Sequence, residues 1–210
     1  METATVERQC GYDAIEVNAH SLTVEPDIQL MCRVRDGDSH SYTMLLDRYR
    51  KPLISFLFRI VQNQCVAEEL SQEVFLRVYR SRERYEPTAK FTTWLFRIAS
   101  HVAINWLRDG RREHINERLD HESSTGILRQ FPDCKPTAEQ SLLALARAQE
   151  IRNAIASLPE NQRAAVIMHK YKGFDYGQIA TALECSDSAV KSLLFRAYGR
   201  LRGLLAHFSD

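Results

Sequence analysis

The stretch Asp175-Tyr176-Gly177-Gln178-Ile179-Ala180-Thr181-Ala182-Leu183-Glu184-Cys185-Ser186-Asp187-Ser188-Ala189-Val190-Lys191-Ser192-Leu193-Leu194-Phe195-Arg196 carries a pattern from which the rest of the chain can be read. Ile179, Ala180 and Leu183 recur at helical spacing, which predicts a short helix over Asp175 to Leu183 with those three inward. Glu184, Cys185 and Ser186 form the turn, and a second helix runs from Asp187 to about Leu205. The Ser186 hydroxyl can cap that helix, Asp187 suits its positive end, and Val190, Leu194 and Leu201 repeat at core spacing. Ser188, Lys191, Ser192, Phe195 and Arg196 are then exposed on the first turns. In a helix-turn-helix those turns enter the major groove, where Lys or Arg donates to guanine, Ser bonds a base or phosphate, and an aromatic touches a thymine methyl. Arg200 and Arg202 lie further along and suit phosphates. An ordinary helical hairpin with a basic face shares much of this pattern, so other segments must decide between the two.

Working outward, the 210 residues leave room for one large domain or two small ones, and 44% hydrophobic with 26% charged residues predicts a packed core. Eight glycines, six prolines and many i, i+3, i+4 apolar patterns predict an all-α protein. No apolar run approaches the roughly 18 residues that span a bilayer. The acidic start lacks the features of a secretory signal, so the expectation is a cytoplasmic protein with no membrane insertion. Cys10, Cys32, Cys65, Cys134 and Cys185 are widely spaced with no C-x-x-C pair, and the seven histidines form no H-E-x-x-H. The expectation is reduced thiols, with no metal, no cofactor and no catalytic residues.

The formal net charge of +1 conceals an asymmetry. Residues 1–27 carry six acids and one base; residues 77–112 carry nine bases and three acids; residues 187–202 carry four bases and one acid. Two separate basic segments suggest two contact points on one polyanion, because phosphate contacts need local positive charge.

Four units follow from the periodicity: an acidic extension over 1–27, a helical unit over 28–112, a linker over 113–137 and a second helical unit over 138–210. The first unit is interrupted near Asp36-Gly37-Asp38, at Asn63, and over Tyr85 to Lys90 around Pro87. The linker gathers Ser123-Ser124-Thr125-Gly126, Pro132 and Pro136, and Pro159 and Gly173 punctuate the second unit.

Two helices of the first unit have divided faces. From about Cys65 to Arg82, Ala67, Leu70, Val74, Phe75 and Val78 form a buried side, opposite Glu68, Glu69, Gln72, Glu73 and Leu76. An acidic face with one central leucine is a poor DNA surface and a plausible protein-docking surface. From about Thr92 to Arg108, steps of about 100° per residue gather Leu95, Ile98, Ala99, Val102 and Trp106 on a core side. Arg97, His101 and Arg108, flanked by Asn105, form a polar stripe of the kind that reads unstacked bases. The loop Arg84 to Phe91 could close over a flipped base. Trp94 and Trp106 are read as core residues.

These segments together resemble the bacterial RNA polymerase sigma factors, specifically the small extracytoplasmic-function (ECF) group of the sigma-70 family. The resemblance rests on Ala67-Glu68-Glu69-Leu70-Ser71-Gln72-Glu73-Val74-Phe75, Phe91-Thr92-Thr93-Trp94-Leu95-Phe96-Arg97-Ile98-Ala99, Leu158-Pro159-Glu160 and Gln178-Ile179-Ala180. It implies two small helical domains joined by a flexible linker, which would be sigma domains 2 and 4 over 28–112 and 138–210. It implies that Glu68, Glu69, Gln72, Glu73 and Leu76 dock on the clamp helices of the largest polymerase subunit. It implies that Arg84, Lys90, Arg97, His101, Asn105, Arg108, Arg111 and Arg112 take the −10 element, capturing flipped bases during melting. Ser188, Lys191, Ser192, Phe195, Arg196 and Arg200 would read the −35 element. The implied protein is a monomer when free, with core polymerase and promoter DNA as partners and an anti-sigma protein as a further one.

The chain departs from the family pattern at His101, where many relatives have asparagine, and at Leu193, a position often basic. Residues 1–27 match nothing in the shared domains. The competing reading, a free-standing helix-turn-helix regulator that binds an operator without polymerase, accounts for 138–206 and leaves the acidic face and the polar stripe without a use.

Overall fold

Polar side chains cap the starts of four of the helices. Asp38 accepts hydrogen bonds from the His40 and Ser41 amides and from the Ser41 hydroxyl, and these bonds hold its carboxyl below the usual carboxylate range. Asn63 caps the following helix through the Val66 amide. Asp175 and Gln178 form a reciprocal capping box, and the Ser186 hydroxyl accepts from the Ala189 amide. Gly173 closes its helix in the left-handed region at φ 66°, where a side chain would be strained.

The computed structural model describes residues 25–114 and 138–208, with side chains over 25–110 and 144–208. Eight α-helices are present among the described residues: α1 Pro26–Arg35, α2 Ser39–Val61, α3 Gln64–Arg80, α4 Phe91–His114, α5 Ala138–Ala156, α6 Glu160–Lys172, α7 Tyr176–Leu183 and α8 Asp187–Leu204. Short 3₁₀ turns follow α3 and α8. The all-α expectation holds, and the breaks at Asp36 to Asp38, Asn63, Tyr85 to Lys90, Pro159 and Gly173 all fall between helices.

The buried side of α3 is as expected: Ala67, Leu70, Val74, Phe75 and Val78 are all buried. Helix α4 departs from expectation on both sides. Leu95, Ala99 and Val102 are buried, but Ile98 is only half-buried and Trp106 is 36% exposed. From Asn105 to Gly110 no described side chain is buried, so α4 outruns the layer that covers its start and Trp106 lies beyond it. A second face of α4, Phe96, Ser100 and Ala103 at i, i+4, i+7 spacing, is buried too. Helices α6 and α7 pack against α4, so the two halves share one hydrophobic core.

That seam is built from specific groups. The rings of Phe96 and Phe174 meet edge to face at 5.9 Å. The buried Arg163 guanidinium donates to the Ile60 carbonyl at 2.6 Å, to the Leu158 carbonyl at 3.2 Å and to the Ala156 carbonyl, satisfying acceptors at the ends of α2 and α5. Lys172 donates to the Pro52 carbonyl at 3.0 Å and stands 4.3 Å from the Phe96 ring centre. Burial, and then the charge of Arg59, lowers its pKa from 10.5 to about 8. Arg59 in turn lies 3.9 Å over the Tyr171 ring.

Some boundaries move. Pro26 and Asp27 open α1, and Asp27 binds Arg48 and accepts from the Tyr49 hydroxyl, so the acidic extension stops short of them. Helix α4 continues through His114, past the expected linker start. The remainder of the linker, and with it the Ser-Thr-Gly and proline cluster, lies outside the described residues, as do residues 1–24.

Candidate nucleic-acid and protein interfaces

Three surfaces hold the residues singled out from the sequence. The first is the outer face of α3. Glu68, Glu69 and Gln72 are exposed, Leu76 is 49% exposed, and Glu73 is paired with the Arg77 Nε at 2.7 Å. Beside them a groove of about 330 Å³ opens between α2 and α3, lined by Tyr42, Leu46, Arg50, Ile54, Glu68, Ser71, Gln72, Phe75 and Leu76. Leu76 therefore stands at the rim of an apolar-floored groove with acids on one side, the arrangement of an anchor within a polar ring. The α2 contribution, Tyr42, Leu46 and Ile54, was not anticipated. Its signal was present as an i, i+4, i+12 series on one helix face.

The second surface is a cleft of about 590 Å³ lined by Arg77, Arg80, Ser81, Glu83, Arg84, Ile98 and His101. Arg84 and His101 were expected there. Arg77 and Arg80 were counted as charge only, although their spacing to Arg84 places all three near one end of α3. Three guanidiniums around one concavity make it a site for anionic or base-edge groups. Tyr85, buried below, packs on Trp94 at 4.8 Å and lies within 6.5 Å of Phe91, which fixes the base of the Tyr85 to Lys90 loop. Half-buried Trp94 is thus a packing residue, as expected.

The remaining members of this group are spread more widely. Lys90 faces the Glu25 carboxylate at 4.0 Å. Arg97 is half-exposed and reaches Glu184, whose carboxylate accepts from its Nη2 at 2.5 Å. This bond, reinforced by the charge of His101, holds the Glu184 carboxyl below the usual range. Asn105 and Arg108 are exposed further along α4. Arg111 and Arg112 belong to α4 by their backbone, and their side chains lie outside the described residues.

The third surface is α8. Val190, Leu194 and Ala197 are buried beneath it, while Ser188, Lys191, Ser192, Arg196 and Arg200 are exposed and Phe195 is 82% exposed. Ser192 donates to the Ser188 carbonyl at 3.0 Å, and Ser188 meets the Ser186 hydroxyl at 2.9 Å. Leu193 packs partly against the core, as do Leu183 and Leu201. Glu184 ends α7 in the left-handed region at φ 52°, and the Cys185 amide bonds back to Ala180, so the turn between the two helices is tight. Among the described residues, no helix is long and apolar enough to cross a membrane.

Comparison with known proteins finds matches to both halves of the chain. Residues 45–113 match the family pattern described as Sigma-70 region 2, and residues 148–201 match Sigma-70, region 4. The chain is 31% identical to the RNA polymerase sigma-H factor of Pseudomonas aeruginosa, across 84% of this chain and 92% of the relative. It is 33% identical to the RNA polymerase sigma factor CarQ of Myxococcus xanthus, across 83% and 95%. It is 31% identical to the ECF RNA polymerase sigma-E factor of Escherichia coli K12, across 81% and 90%. Among solved structures, CnrH in complex with the cytosolic domain of CnrY aligns with a TM-score of 0.62 at 20% identity, covering 86% of this chain and 97% of that one. The sigma factor RpoE from Bartonella quintana, in complex with the anti-sigma factor NepR, aligns with a TM-score of 0.60 at 22% identity, covering 79% and 96%. A free-standing regulator leaves the region 2 match without a use. With both regions present in order and relatives matched over nearly their whole length, the chain belongs to the ECF group of the sigma-70 family of RNA polymerase sigma factors.

Proposed function

We propose that this alternative sigma factor, which directs promoter-specific transcription initiation with core RNA polymerase, divides that work among the three surfaces. Glu68, Glu69, Gln72, Glu73 and Leu76, with the groove beside them, dock on the clamp helices of the largest subunit. Arg84, Lys90, Arg97, His101, Asn105, Arg108, Arg111 and Arg112 take the −10 strand, joined by Arg77 and Arg80. Ser188, Lys191, Ser192, Phe195, Arg196 and Arg200 read the −35 duplex. Sigma domain 2 would be the helical unit expected over 28–112, with α1 reaching back to Pro26 and α4 on to His114, and sigma domain 4 the unit over 138–210.

The observation that carries this reading is the sharing of α3 by two unlike surfaces. An acidic, leucine-centred face occupies its length, and Arg77 and Arg80 at its end line the cationic cleft. A protein that docks on polymerase while holding DNA needs both signs of charge on adjacent surfaces. No covalent chemistry is required, because binding of unstacked bases supplies the free energy that opens the duplex. The site of action is the cytoplasm, with the free protein a monomer. Its anti-sigma partner would cover the α3 groove, consistent with solved relatives captured in complexes with such proteins.

Run-off transcription with purified core polymerase on a library of promoters from the source genome tests this. Specific transcripts that require the protein are expected, and they should vanish with Leu76→Asp. Absence of core binding by the wild-type protein would contradict the reading.

A further inference from the structure

The seam between the halves places the helix-turn-helix turn against the stripe assigned above to the −10 strand. We propose that Glu184 is an internal stand-in for that strand: in the free protein its carboxylate occupies the Arg97 guanidinium, and a melted strand must displace it. This inference rests on the strand-reading assignment of Arg97.

A carboxylate on a guanidinium is chemically what a phosphate oxygen or base acceptor on a guanidinium would be. Glu184, the residue that ends α7, meets Arg97 at 2.5 Å, so a side chain from the second half answers the stripe directly. Local backbone preference does not call for glutamate here. The residue sits at φ 52°, a helix-ending position that favours glycine or asparagine. Nor does the pair hold the halves together. Both side chains are about half exposed, at 42% and 55%, and exposed pairs contribute little to stability. The seam is held by Phe96 on Phe174, Lys172 on Pro52 and Arg163 on Ile60. Packing thus positions Glu184, and Glu184 competes for the stripe.

The test is fluorescence anisotropy of a labelled, randomised single-stranded DNA of about 12 nucleotides on the full-length protein. Wild type is compared with Glu184→Gln, Glu184→Gly, Arg97→Ala and the double variant Arg97→Ala/Glu184→Gln. Glu184→Gly suits the left-handed backbone and so keeps the turn while removing the carboxylate. Both Glu184 variants should bind about two- to fivefold tighter than wild type. Arg97→Ala should bind more weakly, and Glu184→Gln should add nothing in its background. If Arg97→Ala weakens binding but the Glu184 variants match wild type, the strand reading stands and the competition is overturned. If Glu184→Gln tightens binding equally without Arg97, the effect is general charge and the proposal also falls. If Arg97→Ala matches wild type, Arg97 is not a strand contact and both readings fall.

Discussion

The two helices assigned to DNA stand in opposite conditions. Helix α8 presents Lys191, Phe195 and Arg196 outward, with Phe195 82% exposed, whereas the stripe on α4 meets α7 and has Arg97 tied to Glu184. On the proposed assignments, a duplex would meet α8 without rearrangement, while a single strand at Arg97 would meet the Glu184 carboxylate first. The difference follows from what covers each helix. Helix α8 buries one side, through Val190, Leu194 and Ala197. Helix α4 buries two, through Leu95, Ala99 and Val102 on one and Phe96, Ser100 and Ala103 on the other.

The largest effect on this contrast should come from Arg163→Met. It strips three carbonyls of their donor, and leaving buried acceptors unsatisfied should cost about 2–4 kcal/mol in urea unfolding. A midpoint unchanged from wild type would mean the seam is not held there. Leu76→Asp acts on neither DNA surface. It should weaken core polymerase binding by about 2–3 kcal/mol, as loss of an interface anchor does, with the urea midpoint preserved; unchanged core affinity would remove the docking assignment. Arg196→Ala touches only the open helix and should lower −35-dependent transcription by about 1–3 kcal/mol of recognition energy. Equal wild-type activity on intact and scrambled −35 sequences would sink that assignment.

The smallest effect is a tuning of closure by pH. Lys172 has its pKa lowered to about 8 in the folded, closed form against 10.5 when exposed, chiefly by burial. Between those values the closed form binds fewer protons, so stability should rise as pH rises from about 8 toward 10.5 and be flat with respect to this group below that window. Urea midpoints of wild type and Lys172→Met, followed across pH 8 to 10, should converge or cross as the wild-type penalty disappears. Parallel curves would show that Lys172 is not desolvated by the seam.

How much of this was legible beforehand varied with the kind of contact. Helix breaks at Asp38, Asn63, Pro159 and Gly173 were readable because capping and left-handed turns are local chemistry. The buried side of α3 was readable because one neighbouring layer covers it, and a single apolar stripe records that. Helix α4 was read only in part. Its second buried face uses Ser100 and Ala103, small residues that look neutral on a helical wheel and become core only where other helices pack on α4. Trp106 was taken for core from its spacing, but spacing does not reveal where a covering layer ends. The pairing of Arg97 with Glu184 was not read, since nothing local announces a partner 87 positions away. The exposed acidic face of α3 and the exposed face of α8 were legible because exposure at regular spacing is itself local.

The most direct test of the division between the two helices is permanganate footprinting of promoter opening by reconstituted holoenzyme. Wild type, Arg196→Ala and Arg97→Ala are assayed on one promoter, together with protection of its −35 element. The account predicts that Arg196→Ala loses both protection and opening, whereas Arg97→Ala keeps the −35 protection and loses reactive thymines near −10. Opening by Arg97→Ala equal to that of wild type, or loss of −35 protection in that variant alone, would contradict it.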